Sequence, residues 1–138
     1  MAREAVKWRD CFSVGDPLID QQHQQFFSEV ERVLAAIDQG AGVEALAVFY
    51  RDFRQALVAH FRDEEAMLER VNFPGLTEHQ AEHQALLAGI GEISDGLTAG
   101  RAPLDMGRAV QTAFMSLVEH VIGVDMRFKS YLMAAQGR

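Results

Sequence analysis

Apolar residues recur at intervals of three and four along most of this 138-residue chain, and glycine and proline divide that pattern at three places. The three zones are Gln39–Gly42, Asn72–Gly75 and Ala99–Pro103. Intervals of three and four place apolar side chains on one face of a helix, whereas glycine and proline end helices. The sequence therefore predicts four amphipathic helices of roughly 22 to 35 residues each, following an N-terminal arm.

Short connections between long helices favour antiparallel neighbours. We therefore predict an all-α fold, an antiparallel up-down-up-down four-helix bundle with an N-terminal arm. Residues 1–16 form the arm in this prediction and residues 17–138 form the bundle, as a single domain overall. Asp16 and Pro17 mark the start of the first helix, because aspartate caps helices and proline suits the first helical position. The aromatic residues Trp8 and Phe12 indicate that the arm packs across the bundle.

Composition limits the class of protein. Apolar residues make up 49% of the chain, enough for a sizeable core, and the lone Cys11 has no internal disulfide partner. A net charge of −7 with scattered lysine and arginine argues against a nucleic-acid partner. The N-terminus lacks the apolar run of a signal peptide, and no stretch reaches the roughly 18 apolar residues of a membrane span. We expect a cytoplasmic protein without a membrane partner.

Histidines interrupt the apolar faces. All five histidines of the chain fall at inward positions, spread over the four predicted helices: His23, His60, His79, His83 and His120. A single buried histidine is usually structural, but five directed at one axis would leave polar groups unpaired at a cost of about 1–3 kcal/mol each. His79 and His83 lie one turn apart, a spacing that lets two imidazoles hold one cation. A bound metal would remove the cost.

Two carboxylates complete the predicted metal site. Glu64 lies one turn after His60 on the same face, and Asp125 follows His120 by five residues. An ideal helix turns residues five apart about 140° away from each other, so we predict a local distortion there, such as a π-bulge. The neighbouring acids are predicted to lie on solvated faces: Asp63, Glu65, Glu82 and Glu119.

The ligand set constrains the metal. Five imidazoles and two carboxylates without a thiolate exclude a zinc finger or an iron–sulfur cluster and fit two octahedral first-row ions, usually iron. If both carboxylates and an oxo or hydroxo group bridge the ions, each ion receives three oxygen ligands. Three histidines then bring one ion to six ligands, and two histidines bring the other to five. A small ligand can occupy the open position. We expect it to be lined by apolar side chains such as Phe26, Phe27, Phe53, Leu57 and Leu86, with Leu117 nearby.

Motifs along nearly the whole chain form a specific combination. They are Trp8 with Phe12–Gly15, Ile19–His23, His60–Met67, His79–His83 and His120–Asp125. In this combination the sequence resembles the bacterial hemerythrins of the hemerythrin family. It departs from many family members at Met115–Glu119, where they carry a tryptophan shortly before the fourth-helix histidine.

The resemblance implies a ligand assignment and a function. His79, His83 and His120 would hold one iron, His23 and His60 the other, and Glu64 and Asp125 would bridge an oxo- or hydroxo-bridged pair of two Fe ions per chain. Dioxygen would bind reversibly at the iron with two histidines. Azide and nitric oxide would compete there, and a protein that receives the oxygen is a further expected partner.

We therefore expect a non-enzymatic protein for oxygen carriage, storage or delivery in a bacterial cytoplasm. Two alternatives use the same bundle: a di-iron oxygen or redox sensor, and a di-iron oxidase, peroxidase or nitric oxide reductase. Ferritin-like di-iron enzymes carry a Glu-x-x-His pair on each of two helices. This sequence has no such pair on its inward faces, which favours oxygen binding over catalysis.

Overall fold

Helices make up the regular structure of the described residues, 7–100 and 106–135 of a computed structural model. The elements in chain order are a short 3-10 helix Asp10–Phe12, α1 Pro17–Asp38, α2 Val43–Arg70, α3 Leu76–Thr98, α4 Met106–Glu119, a π-helix His120–Asp125 and α5 Met126–Ala135. The last three follow one another without a break and form the fourth helix of the bundle. The predicted all-α four-helix bundle is confirmed.

Some sequence predictions fall outside the described residues. These are residues 1–6 of the predicted arm, residues 101–105 with the predicted helix breaker Pro103, and the last residues of the bundle, 136–138. The division of the chain into an arm over 1–16 and a bundle over 17–138 stays a prediction.

The first helix begins where the sequence predicts. The side chain of Asp16 accepts a hydrogen bond from the Ile19 backbone N–H at 3.1 Å, and Pro17 occupies the first turn. This cap satisfies one of the backbone donors that a helix start leaves unpaired. After α1 the chain turns at Gly40, whose φ of +95° lies in the left-handed region that glycine adopts without strain.

Helix packing closes the bundle. Contacts join α1 to α2, α2 to α3, α3 to α4, and α4 back to α1. Two clusters of buried apolar side chains form the core. The larger contains Phe27, Leu57 and Phe114, and the smaller contains Met67 and Phe128. Along each helix the inward polar residues lie between these clusters, so apolar side chains seal the polar layer on both sides.

The segment before α1 packs onto the larger cluster. The Trp8 and Phe12 rings lie 5.7 and 5.8 Å from the ring of Phe27, centroid to centroid, and 5.8 Å from each other. Such aromatic pairs contribute about 0.5–1.5 kcal/mol beyond their buried area. Cys11 is exposed and unpaired. Among the described residues, no helix combines the length and the apolar character needed to cross a membrane.

Candidate metal centre

All seven sequence-predicted ligands meet in the polar layer. They are buried, and they come from all four helices of the bundle: His23, His60, Glu64, His79, His83, His120 and Asp125. Each histidine directs its Nε2 atom at a carboxylate of this set. The sequence pattern therefore identified residues that lie together in space, although their role as ligands stays a proposal.

The donors form two groups. One contains His79, His83 and His120, with Glu64 and Asp125, and is called the three-histidine group below. The other contains His23 and His60 with Glu64 and is called the two-histidine group. Within each group the donor atoms lie within 4.8 Å of one another, close enough for a single ion to contact them all.

Glu64 faces both groups. Its Oε1 atom lies 2.6 Å from His79 Nε2 and 3.0 Å from His83 Nε2. Its Oε2 atom lies 3.3 Å from His60 Nε2 and 3.6 Å from His23 Nε2. One carboxylate oxygen therefore serves each group, which is the arrangement required of a bridging carboxylate.

Asp125 repeats this arrangement from the fourth helix. Its Oδ1 atom lies 2.9 Å from His120 Nε2 and 3.0 Å from His79 Nε2, and its Oδ2 atom lies 3.3 Å from His23 Nε2. Two carboxylates thus link the same two groups, one from α2 and one from the fourth helix.

The π-helix explains how His120 and Asp125 share a face. It spans His120–Asp125, the same segment in which the sequence predicts a distortion. A π-helix bonds residues five apart, so its wider turn brings such residues one above the other, which an α-helix does not. The predicted distortion is confirmed.

The carboxylates carry their negative charge into the core. Burial disfavours the charged form of Glu64, but hydrogen bonds with His23 and His60, among others, hold its pKa well below 4.5. Burial and the nearby charge of Glu64 oppose ionisation of Asp125, yet hydrogen bonds with the histidines lower its pKa below 3.8. Both side chains are therefore ionised at neutral pH and form an anionic site for cations.

The histidines respond to that charge differently. For His23 and His79, burial favours the neutral ring, but hydrogen bonds with Asp125 and Glu64 outweigh it and raise each pKa to about 9. For His60, burial prevails over its contact with Glu64 and lowers the pKa below 6.5. His60 is therefore neutral at neutral pH, with a ring nitrogen ready to bind a metal.

Unpaired buried atoms test whether a metal pair suits this site. His120 Nε2, Glu64 Oε2 and both carboxylate oxygens of Asp125 are buried, and among the described residues they have only the histidine–carboxylate contacts given above, which lack the geometry of a regular hydrogen bond. Buried polar groups with incomplete hydrogen bonding are costly, at about 1–3 kcal/mol for a group left fully unpaired. All of them point into the centre, where imidazole and carboxylate are the donors that first-row metal ions accept. The residues fit a pair of cations.

Sequence reasoning was wrong about one acid and missed one amide. Glu65 does not lie on a solvated face: it is 22% exposed, and its Oε2 atom accepts a hydrogen bond from His83 Nδ1 at 2.7 Å. Gln22 Oε1 accepts one from His60 Nδ1 at 2.6 Å. The sequence gives one indication that both positions lie beside the inward helix face: each has a buried apolar residue one turn before and one turn after it.

The other neighbouring acids lie farther out. Asp63 and Glu119 are exposed, as predicted. Glu82 is 38% exposed, 3.7 Å from His120 Nδ1 and 4.0 Å from Arg127. It is therefore partly solvated and only loosely associated with the centre.

The predicted apolar lining divides into two sets. Phe26, Phe27, Phe53, Leu57 and Leu117 are buried in the larger cluster, and the Phe26 ring lies 5.2 Å from the ring of His60. That these residues line an open coordination position stays a prediction. Leu86 is only partly buried and lines a surface groove of about 640 Å³ between α3 and α4. At Ser116 a second pocket adjoins this groove and reaches His120.

Comparison with known proteins places this arrangement in context. A family model described as "Hemerythrin HHE cation binding domain" matches residues 14–132. The chain is 34% identical over 125 residues to the myohemerythrin of Riftia pachyptila, covering 91% of this chain and 92% of that protein. It is 27% identical over 128 residues to a hemerythrin-like protein of Naegleria gruberi, with coverage of 91% and 92%. It is also 29% identical over 82 residues to the bacteriohemerythrin of Campylobacter jejuni, with coverage of 59% and 61%.

Proposed function

The chain belongs to the hemerythrin family, and on that premise we propose that it binds dioxygen reversibly at a non-haem di-iron centre, for oxygen carriage, storage or delivery. The family binds a di-iron centre, and the buried cluster fits one. One observation carries the proposal: two carboxylates each direct one oxygen at each of two histidine groups within a buried polar layer.

We assign the ligands from these contacts. His79, His83 and His120 hold one iron, and His23 and His60 hold the other. Glu64 and Asp125 would each offer one oxygen to each iron. When bound, the iron pair would supply redox electrons and room for a small ligand at the two-histidine group, because that group offers one imidazole fewer.

The protein side chains prepare the centre. Glu64 and Asp125 keep their charge at neutral pH and so offset the charge of two cations. The apolar clusters on either side of the layer bury the ligand side chains, and the Phe26 ring packs against the ring of His60. An apolar surround of this kind suits a small uncharged ligand such as dioxygen, and azide and nitric oxide should compete with it.

The proposed setting is a bacterial cytoplasm, and the likeness to the Campylobacter jejuni bacteriohemerythrin supports its bacterial part. The same likeness supports binding rather than catalysis, because the named relatives are hemerythrins. A sensor or a di-iron oxidase is the alternative that the following experiment separates from a reversible binder.

The test is anaerobic loading with ferrous iron, followed by admission and then removal of air. Iron is counted per chain, and absorption is recorded at each step. We expect two irons per chain and a visible ligand-to-iron band that appears with dioxygen and disappears on its removal. Rapid irreversible oxidation without the band would favour a redox enzyme or a sensor. Fewer than two irons after full loading would refute the site.

A pair of variants tests the ligand assignment. His60→Ala removes one of only two imidazoles of the two-histidine group, so we expect about one iron per chain and loss of dioxygen binding. Glu119→Ala changes an exposed residue of the fourth helix and should keep two irons. A His60→Ala protein with two irons and normal dioxygen binding would contradict the assignment.

A further inference from the structure

The hydrogen-bond partners of the Nδ1 atoms differ between the two histidine groups. Each ring directs Nε2 inward, which leaves Nδ1 for a partner behind it. Such a partner fixes which nitrogen carries the proton and changes how strongly the other nitrogen donates to a metal. The chemical nature of these partners therefore affects the metal itself.

A carboxylate stands behind the three-histidine group. His83 Nδ1 donates to Glu65 Oε2 at 2.7 Å, and the His83 ring is fully buried. The ring also stacks on Phe61, with centroids 3.8 Å apart and an interplanar angle of 6°, so its orientation is fixed. A charged acceptor on Nδ1 makes Nε2 more basic and a stronger donor. Glu82, beside His120, adds a weaker negative charge to the same group.

A neutral amide stands behind the two-histidine group. His60 Nδ1 donates to Gln22 Oε1 at 2.6 Å, and Gln22 Nε2 donates to Asp63 Oδ2 at 2.9 Å. A carboxylate only accepts hydrogen bonds, so the amide nitrogen must face Asp63 and the amide oxygen must face His60. The charge of Asp63 is exposed and one side chain farther from the ring, where water screens it.

His23 adds to this difference. Its Nδ1 atom is buried without a hydrogen-bond partner among the described residues. Neither imidazole of the two-histidine group therefore contacts a carboxylate through Nδ1, whereas His83 of the other group does.

We propose that Gln22 and Glu65 are positioning residues that make the two iron positions electronically unequal. This inference rests on the proposed di-iron function. Glu65 strengthens donation to the three-histidine iron and favours its ferric state. Gln22 holds His60 in place without adding charge, so the iron that carries the open position stays easier to return to the ferrous state. That difference supports release of the ligand over permanent oxidation.

Two substitutions of nearly unchanged size test the proposal. Gln22→Glu places a carboxylate behind His60, and Glu65→Gln removes the one behind His83. Matched controls make the same chemical changes at exposed positions on the same helices: Gln25→Glu on α1 and Glu69→Gln on α2. Each protein is loaded with iron, and its two one-electron potentials are measured anaerobically. The second readout is the half-time of ferrous iron loss to a chelator.

Partners behind metal-bound histidines typically change metal affinity by about 10-fold to 100-fold. A tenfold change in the ferric-to-ferrous affinity ratio corresponds to about 59 mV for a one-electron couple. We expect Gln22→Glu to lower one potential by about this amount. It should also weaken azide binding to the ferric protein, because the added negative charge makes that iron a poorer acceptor for an anion. Glu65→Gln should raise the other potential, speed iron loss and leave azide affinity nearly unchanged.

Several outcomes would overturn the proposal. Potentials equal to those of the controls would do so, as would a shift of both potentials by the same amount, which indicates general electrostatics. Glu65→Asp keeps the charge but withdraws it by one carbon, so its shift should be smaller than that of Glu65→Gln, and an equal or larger shift would also overturn the proposal. A wild-type protein that fails to take up two irons would instead refute the proposed function.

Discussion

The metal-free protein should lose stability as the pH rises, through His23 and His79. Burial opposes protonation of both rings, but hydrogen bonds with Asp125 and Glu64 raise each pKa from 6.5 to about 9. A group whose pKa is higher in the folded state stabilises the fold fully below its unfolded pKa, and that stabilisation is lost as the pH rises through the folded value. The loss should therefore run from 6.5 to about pH 9.

The expected size is a large part of the total stability. For one ring, the difference between 6.5 and about 9 corresponds to about 3 kcal/mol. Because both rings pair with the same two carboxylates, their contributions overlap, and the combined loss should exceed that of one ring and stay below about 6 kcal/mol. A domain is typically stable by about 5–15 kcal/mol. Burial also raises the pKa of Tyr50 from 10.0 to about 12. The stability that this tyrosine contributes is lost only above pH 10.0, outside the range in which the histidines titrate.

Urea unfolding of the chelator-treated protein, followed by circular dichroism between about pH 6 and pH 9.5, measures this loss. His23→Gln leaves one of the two titrating rings, so its metal-free form should lose less than the wild type, down to about half as much if the two contributions add fully. The iron-loaded wild type should lose less, because ligand imidazoles are already neutral. Stability that stays constant or increases over this range would refute the argument, as would equal losses in the wild type and His23→Gln.

Four further substitutions, one of them a control, test the core packing, the helix cap and the groove between α3 and α4. Leu57→Ala at a fully buried position should lower the free energy of unfolding by about 2–5 kcal/mol in urea, whereas exposed Val48→Ala should change it by less than about 0.5 kcal/mol. Asp16→Ala removes the cap of α1 and should cost about 1 kcal/mol in the same assay, and no change would show that the cap is dispensable. Ser116→Trp should cover part of the groove between α3 and α4 and raise the melting temperature, consistent with about 1 kcal/mol for about 40 Å² of apolar surface buried. An unchanged or lower melting temperature would show that the groove does not accept the ring.

The backbone architecture was predictable because it depends on where each residue points. Intervals of three and four gave the helices, and glycine and proline gave their ends, so the bundle followed. The distortion between His120 and Asp125 was predictable for the same reason: two residues needed at one centre cannot share a face at α-helical geometry. The π-helix resolves that conflict.

The partners behind the rings were not predictable from helix faces alone. Face assignment describes the direction of the Cα–Cβ bond, whereas glutamate and glutamine extend over several further bonds. Glu65 lies beside the inward stripe, yet its carboxylate reaches His83, and Gln22 reaches His60 on a neighbouring helix. Which long polar side chains turn back to a ring depends on the distance between helices, which the sequence does not state.

The same atoms hold the centre together with and without metal. In the metal-free chain, protons on His23 and His79 allow these rings to pair with Glu64 and Asp125, which keeps two buried carboxylates from standing uncompensated. A metal ion that binds these rings must displace those protons, because imidazole ligates through a neutral nitrogen. Metal ions and protons therefore compete for the centre at neutral pH, and either offsets the charge of the two buried carboxylates.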